Sequence, residues 1–225
     1  PPLLMWFMSI SYQIFGVTNF STRLWSPIFA TLSCVVIYYF GKMLYSRLAG
    51  LLSVVVLGSF GTFFVFARHA MTDVPFVFFM MSSLYFLLLS ERKNKINSDW
   101  FVVVAGLFFG LALMTRQVAA FLIPLIFFVY MAITKKSVRF LFSRQFGIFL
   151  LCGFLIFGPW LVYMSIIYGG EFWYWYFLYH GVMRSVTAIE GHMANYLYYF
   201  EYLFTQENLL WIIVLLTLGS MANVH

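Results

Sequence analysis

Charge is what this sequence has least of. Lys and Arg number 13 and Asp and Glu 7 among 225 residues, so 9% are charged, against about 25% in an ordinary soluble domain. A soluble fold of this length cannot cover its surface from so small a supply, whereas a polytopic membrane protein lets lipid solvate its exterior. Cysteine is scarce as well. Cys34 and Cys152 both lie inside apolar runs without metal-ligand spacing, which argues against a disulfide framework and a Cys-based metal centre. The sequence contains no internal repeat, low-complexity tract or linker, which points to one domain over 1–225. It shows no signal-peptide pattern, opens on Pro1-Pro2 without a Met and closes in a short apolar run. The expectation is a piece of a longer protein, incomplete at both ends.

What is present is apolar and aromatic. Hydrophobic residues make up 64% and aromatic residues 23%, with a mean hydropathy of +0.93. The expected fold class is all-α: a polytopic transmembrane helical bundle with an N-terminal interfacial helix and short extracytoplasmic loops. Pro1 to Phe15 is interrupted by Ser9, Ser11 and Gln13, and it falls short of the roughly 18 apolar residues a span needs. It reads as a helix lying along the membrane, with Trp6 and Tyr12 near the headgroups. Spans are expected over about 23–45, 48–67, 75–90, 100–115, 118–133 and 145–168, with another opening at 209–219. Pro159 predicts a kink or early end in the sixth. Gly106 and Gly110 form a small-xxx-small pair that lets a neighbouring helix approach closely. A polar loop is expected over 91–99 and a long aromatic loop over 169–208.

The formal net charge is +6, but the basic residues sit in short loops between apolar runs. That pattern speaks for membrane topology and against a nucleic-acid partner. Lys42, Arg47, Arg92, Lys93, Lys95, Lys135, Lys136, Arg139 and Arg144 fall in alternate loops, nine of the 13 basic residues. By the positive-inside rule these loops are cytoplasmic. The opposite face holds only Arg23, Arg68, Arg116 and Arg184, against the acidic Asp73, Glu171, Glu190, Glu201 and Glu207.

One stretch on that outer face concentrates polar chemistry: Arg68-His69-Ala70-Met71-Thr72-Asp73-Val74-Pro75. All four outer basic residues are Arg, whose rigid fork of donors suits phosphate oxygens. Arg68, Arg116 and Arg184 come from three loops and become candidates to bind one phosphate of a lipid-linked sugar if the bundle closes around it. Snorkelling at helix ends is the plainer role for each alone. Thr72 or Asp73 can N-cap the third span, with Pro75 in its first turn. That role is compatible with the Asp73 carboxylate taking a proton from an acceptor hydroxyl or orienting a metal. His69, His180 and His192 share the face, and no His pair has a helical ligand spacing such as i, i+4. His192 is the candidate metal ligand, and a divalent metal ion stays open as a cofactor. The aromatic runs Phe172–Phe177 and Tyr196, Tyr198 and Tyr199 fit an interfacial belt better than a sugar site.

Pro1-Pro2-Leu3 followed by Trp6, Gly16-Val17 and Arg23-Leu24 resembles the juxtamembrane helix and next span of bacterial dolichyl-phosphate-mannose-protein mannosyltransferase-like enzymes. Those enzymes include the lipid A aminoarabinose transferases and belong to the C-type membrane glycosyltransferases. Arg68-x-x-Met71-Thr72-Asp73-x-Pro75 matches their second acidic motif. Gly110-Leu-Ala-x-x-Thr115-Arg116 is similar to their Gly-Leu-Ala-x-x-Thr-Lys turn, with Arg for the usual Lys. His180 to Arg184, His192 and the Tyr cluster with Tyr199 resemble their outer loop.

The resemblance implies inverting transfer of a sugar from a polyprenyl-phosphate donor to a lipid, glycan or protein hydroxyl. It places the chain in a prokaryotic plasma (inner) membrane with the site on the extracytoplasmic side. It also implies a leading catalytic carboxylate in a loop before Pro1, which leaves Asp73 as a supporting residue. Arg68, Arg116, Arg184, His192 and Tyr199 are then the substrate-binding candidates, and membrane lipid and the lipid-linked donor the partners. Two other classes compete: a transporter or flippase, and a polysaccharide polymerase or ligase. The scarcity of mid-span charge argues against the first.

Overall fold

The computed structural model describes residues 2–92, 95–134 and 143–183, without the side chains of 95–97, 177 and 180–183. Every regular element among them is helical. The helices are α1 (Leu3–Phe15), α2 (Asn19–Arg23), α3 (Trp25–Leu44), α4 (Arg47–Ser59), α5 (Gly61–Ala67) and α6 (Asp73–Arg92). After them come α7 (Lys95–Leu113), a 3₁₀ turn (Ala119–Phe121), α8 (Leu122–Ile133), α9 (Arg144–Trp173) and a π-helical segment (Tyr174–Met183). Among the described residues, three single helical stretches are long and apolar enough to cross a membrane: Asn19–Leu44, Asp73–Arg92 and Arg144–Tyr176.

Short polar side chains open several helices. Thr18 and Ser21 form a reciprocal capping box at α2, and the Ser46 and Ser143 hydroxyls accept from Ala49 and Phe146 N–H at α4 and α9. Each satisfies a backbone donor that the helix itself leaves unpaired. Gly16, at φ 72°, ends α1 in a conformation that costs glycine little.

The core runs through α6, α7 and α9. Phe109 and Phe149 are both fully buried and stack at 4.9 Å between ring centres. The expected close approach at Gly106 and Gly110 is made by α9. A methyl group on Gly106 would lie 2.6 Å from the Phe149 carbonyl oxygen, and one on Gly110 would lie 2.7 Å from that of Gly153. Gly41 and Gly50 play the same part where α3 meets α4.

Four expectations change. The single span over 48–67 is two helices, α4 and α5, meeting at 71°. No proline causes the break. Phe60 is extended (φ −66°, ψ 114°), Gly58 and Gly61 flank it, and the Ser59 hydroxyl bonds the Val55 and Val56 carbonyls. Glycine and a back-bonding serine together weaken helix continuation. In α9 the helix runs through Pro159, and the non-helical residue is Gly169 (φ 52°, ψ −132°). Beyond it, residues 171–183 are helical rather than loop. Helix also claims much of the polar stretch over 91–99, since α6 reaches Arg92 and α7 starts at Lys95.

Candidate active site at one end of the bundle

Contacts at one end of the bundle gather the starts of α3, α6 and α8 and the ends of α7 and α9. The Leu3 N–H of α1 donates to the Met114 carbonyl at 3.3 Å, and Trp25 Nε1 donates to the Ser11 hydroxyl at 2.6 Å. The other end is tied by Arg92 Nη1 donating to the Met43 carbonyl at 2.6 Å and by Gln145 Nε2 donating to the Ser98 hydroxyl at 2.8 Å. Lys42, Arg47, Arg92 and Arg144 stand at that second end.

The charged pair at the first end is Asp73 with Arg116. Asp73 is the first residue of α6, where the helix dipole favours a carboxylate. Pro75 is third, where its missing N–H costs nothing, and Val74 and Pro75 are buried beneath the surface. On the facing side, α7 ends at Leu113. The buried Thr115 hydroxyl donates to the Ala112 carbonyl at 2.7 Å, and the Arg116 N–H reaches the same carbonyl at 2.9 Å. This tight closure turns the Arg116 side chain outward, onto Asp73.

Arg116 Nη2 lies 2.8 Å from Asp73 Oδ1 and 2.9 Å from Oδ2, and Nε donates to the Thr72 hydroxyl at 3.4 Å. The side chains are 46% and 33% exposed, so the pair faces outward and retains access to a ligand. Nη1 makes no hydrogen bond or ion pair to the described residues, which leaves a charged fork with donors still to give. Such a fork suits phosphate oxygens.

The other expected residues fall differently. Arg68 is exposed and lies 5.5 Å over the Phe64 ring, not on the pair. His69 Nδ1 lies 2.8 Å from the Val65 carbonyl oxygen. Arg184, His192 and Tyr199, and the side chain of His180, lie outside the described residues. Among the described residues no three His, Cys, Asp or Glu side chains come together, and Asp73 is engaged by Arg116.

Two features went unread in the sequence. Gln117, which directly follows Arg116, donates from Nε2 to the Tyr176 carbonyl at 3.1 Å. This ties the Arg116 turn to the segment after α9. That segment folds back at Gly169. Residues 160 and 172 would be about 18 Å apart along an unbroken helix, yet the Trp160 and Phe172 rings are 5.7 Å apart, and Trp160 and Tyr176 are 5.3 Å apart. The signal was the Gly169-Gly170 pair, which marks a possible reversal but not its direction.

Fold and site together define a polytopic helical membrane protein with an Asp–Arg pair at one end of its bundle. The chain belongs to the dolichyl-phosphate-mannose-protein mannosyltransferase family, whose sequence pattern matches residues 1–163. An uncharacterised protein of Aquifex aeolicus is 29% identical over 175 residues, 76% of this chain and 34% of that protein. The undecaprenyl phosphate-alpha-4-amino-4-deoxy-L-arabinose arabinosyl transferase of Yersinia enterocolitica is 28% identical over 200 residues, 86% of this chain and 35% of the transferase. The crystal structure of ArnT from Cupriavidus metallidurans bound to undecaprenyl phosphate superposes with a TM-score of 0.80 at 19% identity, covering 98% of this chain and 40% of ArnT. Its apo form gives 0.77 over 94% of this chain. The shared fold is therefore that of a polytopic membrane protein, and the chain spans about a third of the length of these curated relatives.

Proposed function

We infer that this chain carries part of the reaction centre of an integral-membrane glycosyltransferase. The reaction moves a sugar from a polyprenyl-phosphate donor to a hydroxyl acceptor. The acceptor oxygen attacks the anomeric carbon from the face opposite the phosphate, and the bond from that carbon to the phosphate oxygen breaks. Polyprenyl phosphate leaves, the configuration inverts, and the acceptor's proton passes to a carboxylate. The observation that carries this reading is the Asp73–Arg116 pair, steered by Thr72 and open to ligand at one end of the bundle. Arg116 presents Nη1 to the phosphate, where charge grows as the donor bond breaks, and Asp73 holds the fork in place. Arg68 is a further candidate for the same phosphate. The active site on this account is extracytoplasmic, in a prokaryotic plasma membrane, supported by the basic residues at the opposite end.

The test is competition in membranes carrying the longer protein. Polyprenyl phosphate should displace a labelled polyprenyl-phosphate sugar, whereas the uncharged polyprenol should not. Arg116→Ala should weaken donor binding at least tenfold. Equal displacement by polyprenol would remove the phosphate-binding role.

A further inference from the structure

The end of the bundle away from Asp73 and Arg116 holds a charged corner of its own. There α3 and α4 form a hairpin joined by Tyr45 and Ser46. Gly41 and Gly50 let the two backbones meet, since a methyl group on Gly41 would lie 2.9 Å from Gly50 Cα. The hairpin keeps Lys42, in the last turn of α3, and Arg47, the first residue of α4, at one corner. Arg92 joins them from the end of α6, where its Nη1 donates to the Met43 carbonyl at 2.6 Å. Three helices thus bring three cations to the end of α3, and all three residues are exposed.

None of the three forms an ion pair with a described residue. Of the acidic residues close by in the chain, Glu91 has its Oε2 buried, and Asp99 accepts from Gln145 Nε2 at 3.3 Å. The Lys42 ammonium lies 5.9 Å over the Tyr39 ring, within cation–π range. Tyr45 and Leu48, 84% and 65% exposed, flank the cations in the chain. Cations interleaved with exposed aromatic and apolar side chains, at the ends of membrane-crossing helices, match the boundary between lipid headgroups and acyl chains. We propose that this corner binds the headgroup of an anionic glycerophospholipid. Lys42, Arg47 and Arg92 meet its phosphodiester, and its acyl chains lie along the exposed Leu44 and Leu48. A zwitterionic lipid fits less well, because its own ammonium is repelled by three unpaired cations. On the loop-charge reading this end is cytoplasmic, and the leaflet there carries anionic lipid. The corner is roughly 29 Å from the Asp73–Arg116 pair along α6, and the assignment rests on the membrane fold and not on the sugar-transfer reading.

The experiment is native mass spectrometry of the longer protein, purified in a non-ionic detergent and titrated with three probes. They are dioleoyl phosphatidylglycerol, dioleoyl phosphatidylcholine with the same chains, and sn-glycerol 3-phosphate as a free phosphate. The expected result is saturable binding of phosphatidylglycerol, roughly tenfold or more tighter than phosphatidylcholine, with glycerol phosphate failing to compete. Lys42→Gln and Arg47→Gln should each weaken that binding about fivefold, and the double variant roughly 25-fold. Arg47→Lys should retain most of it. Unfolding temperatures in the neutral detergent should stay unchanged, since both side chains are exposed. Arg144→Gln, at the same end but on α9, and Arg116→Ala, at the other end, should bind phosphatidylglycerol as wild type does. Equal binding of phosphatidylcholine, competition by glycerol phosphate, undiminished binding by the double variant, or an equal loss in Arg144→Gln would overturn the site and leave diffuse attraction to a charged leaflet.

Discussion

Placing a methyl group on Gly110 tests the helix packing that holds the site. The ideal Cβ would lie 2.7 Å from the Gly153 carbonyl oxygen and 2.8 Å from Ile156 Cβ, both inside ordinary van der Waals contact. The clash at Gly153 is with backbone, which cannot rotate away, so α7 and α9 must separate by a large fraction of an ångström. That movement opens the Phe109–Phe149 stack, now at 4.9 Å and fully buried. Overpacking of this kind costs about 1–3 kcal/mol. Gly147 in α9 supplies the internal control, since nothing among the described residues lies within 4 Å of its added Cβ. Gly147→Ala should gain up to about 1 kcal/mol through helix propensity alone. The assay is thermal unfolding of the detergent-purified longer protein, followed by near-ultraviolet circular dichroism. Gly110→Ala should be clearly less stable than wild type and Gly147→Ala equal or better. If the two variants unfold together, the close α7–α9 crossing is wrong.

Four further outcomes follow from the site and the segment packed beside it. Arg116→Ala should lower transfer by about 10²–10³-fold if its fork acts where charge develops, while costing no more than about 1 kcal/mol in stability because the pair is partly exposed. Arg116→Lys should keep a contact to Asp73, lose the one to Thr72, and fall less than tenfold; transfer rates and unfolding curves on the same preparations separate the two effects. Gly169→Ala places a side chain at φ 52°, ψ −132°, with strain of roughly 1–3 kcal/mol, and amide hydrogen exchange over 174–183 should accelerate. Gln117→Leu removes one side-chain donor worth about 1 kcal/mol, so exchange in the same segment should rise more modestly, with the Asp73–Arg116 pair unaffected.

The membrane class was legible because hydropathy and loop charge act residue by residue. The small-residue pair at Gly106 and Gly110 was legible too, since the absence of a side chain states directly where a neighbour can come close. Asp73 and Arg116 were each identified, but their direct pairing depends on α6 and α7 packing in register, 43 residues apart in the chain. The break at Phe60 was hidden because Gly58, Ser59 and Gly61 are each tolerated singly inside a helix. Pro159 does not end its helix for a related reason: inside a membrane helix, neighbouring groups re-satisfy the backbone a proline frees. The backbone's reversal fell instead at Gly169, whose positive φ only the folded chain reveals.

Formation of a glycosidic bond is the most direct test of the proposed reaction. Membranes carrying the longer protein should convert a labelled polyprenyl-phosphate sugar and a hydroxyl acceptor into a glycoside of inverted configuration, identified by mass spectrometry and nuclear magnetic resonance. Asp73→Asn should slow that initial rate by about 10²-fold through loss of the held Arg116 geometry. Donor movement across the bilayer without covalent product, or full-rate transfer by Asp73→Asn, would contradict it.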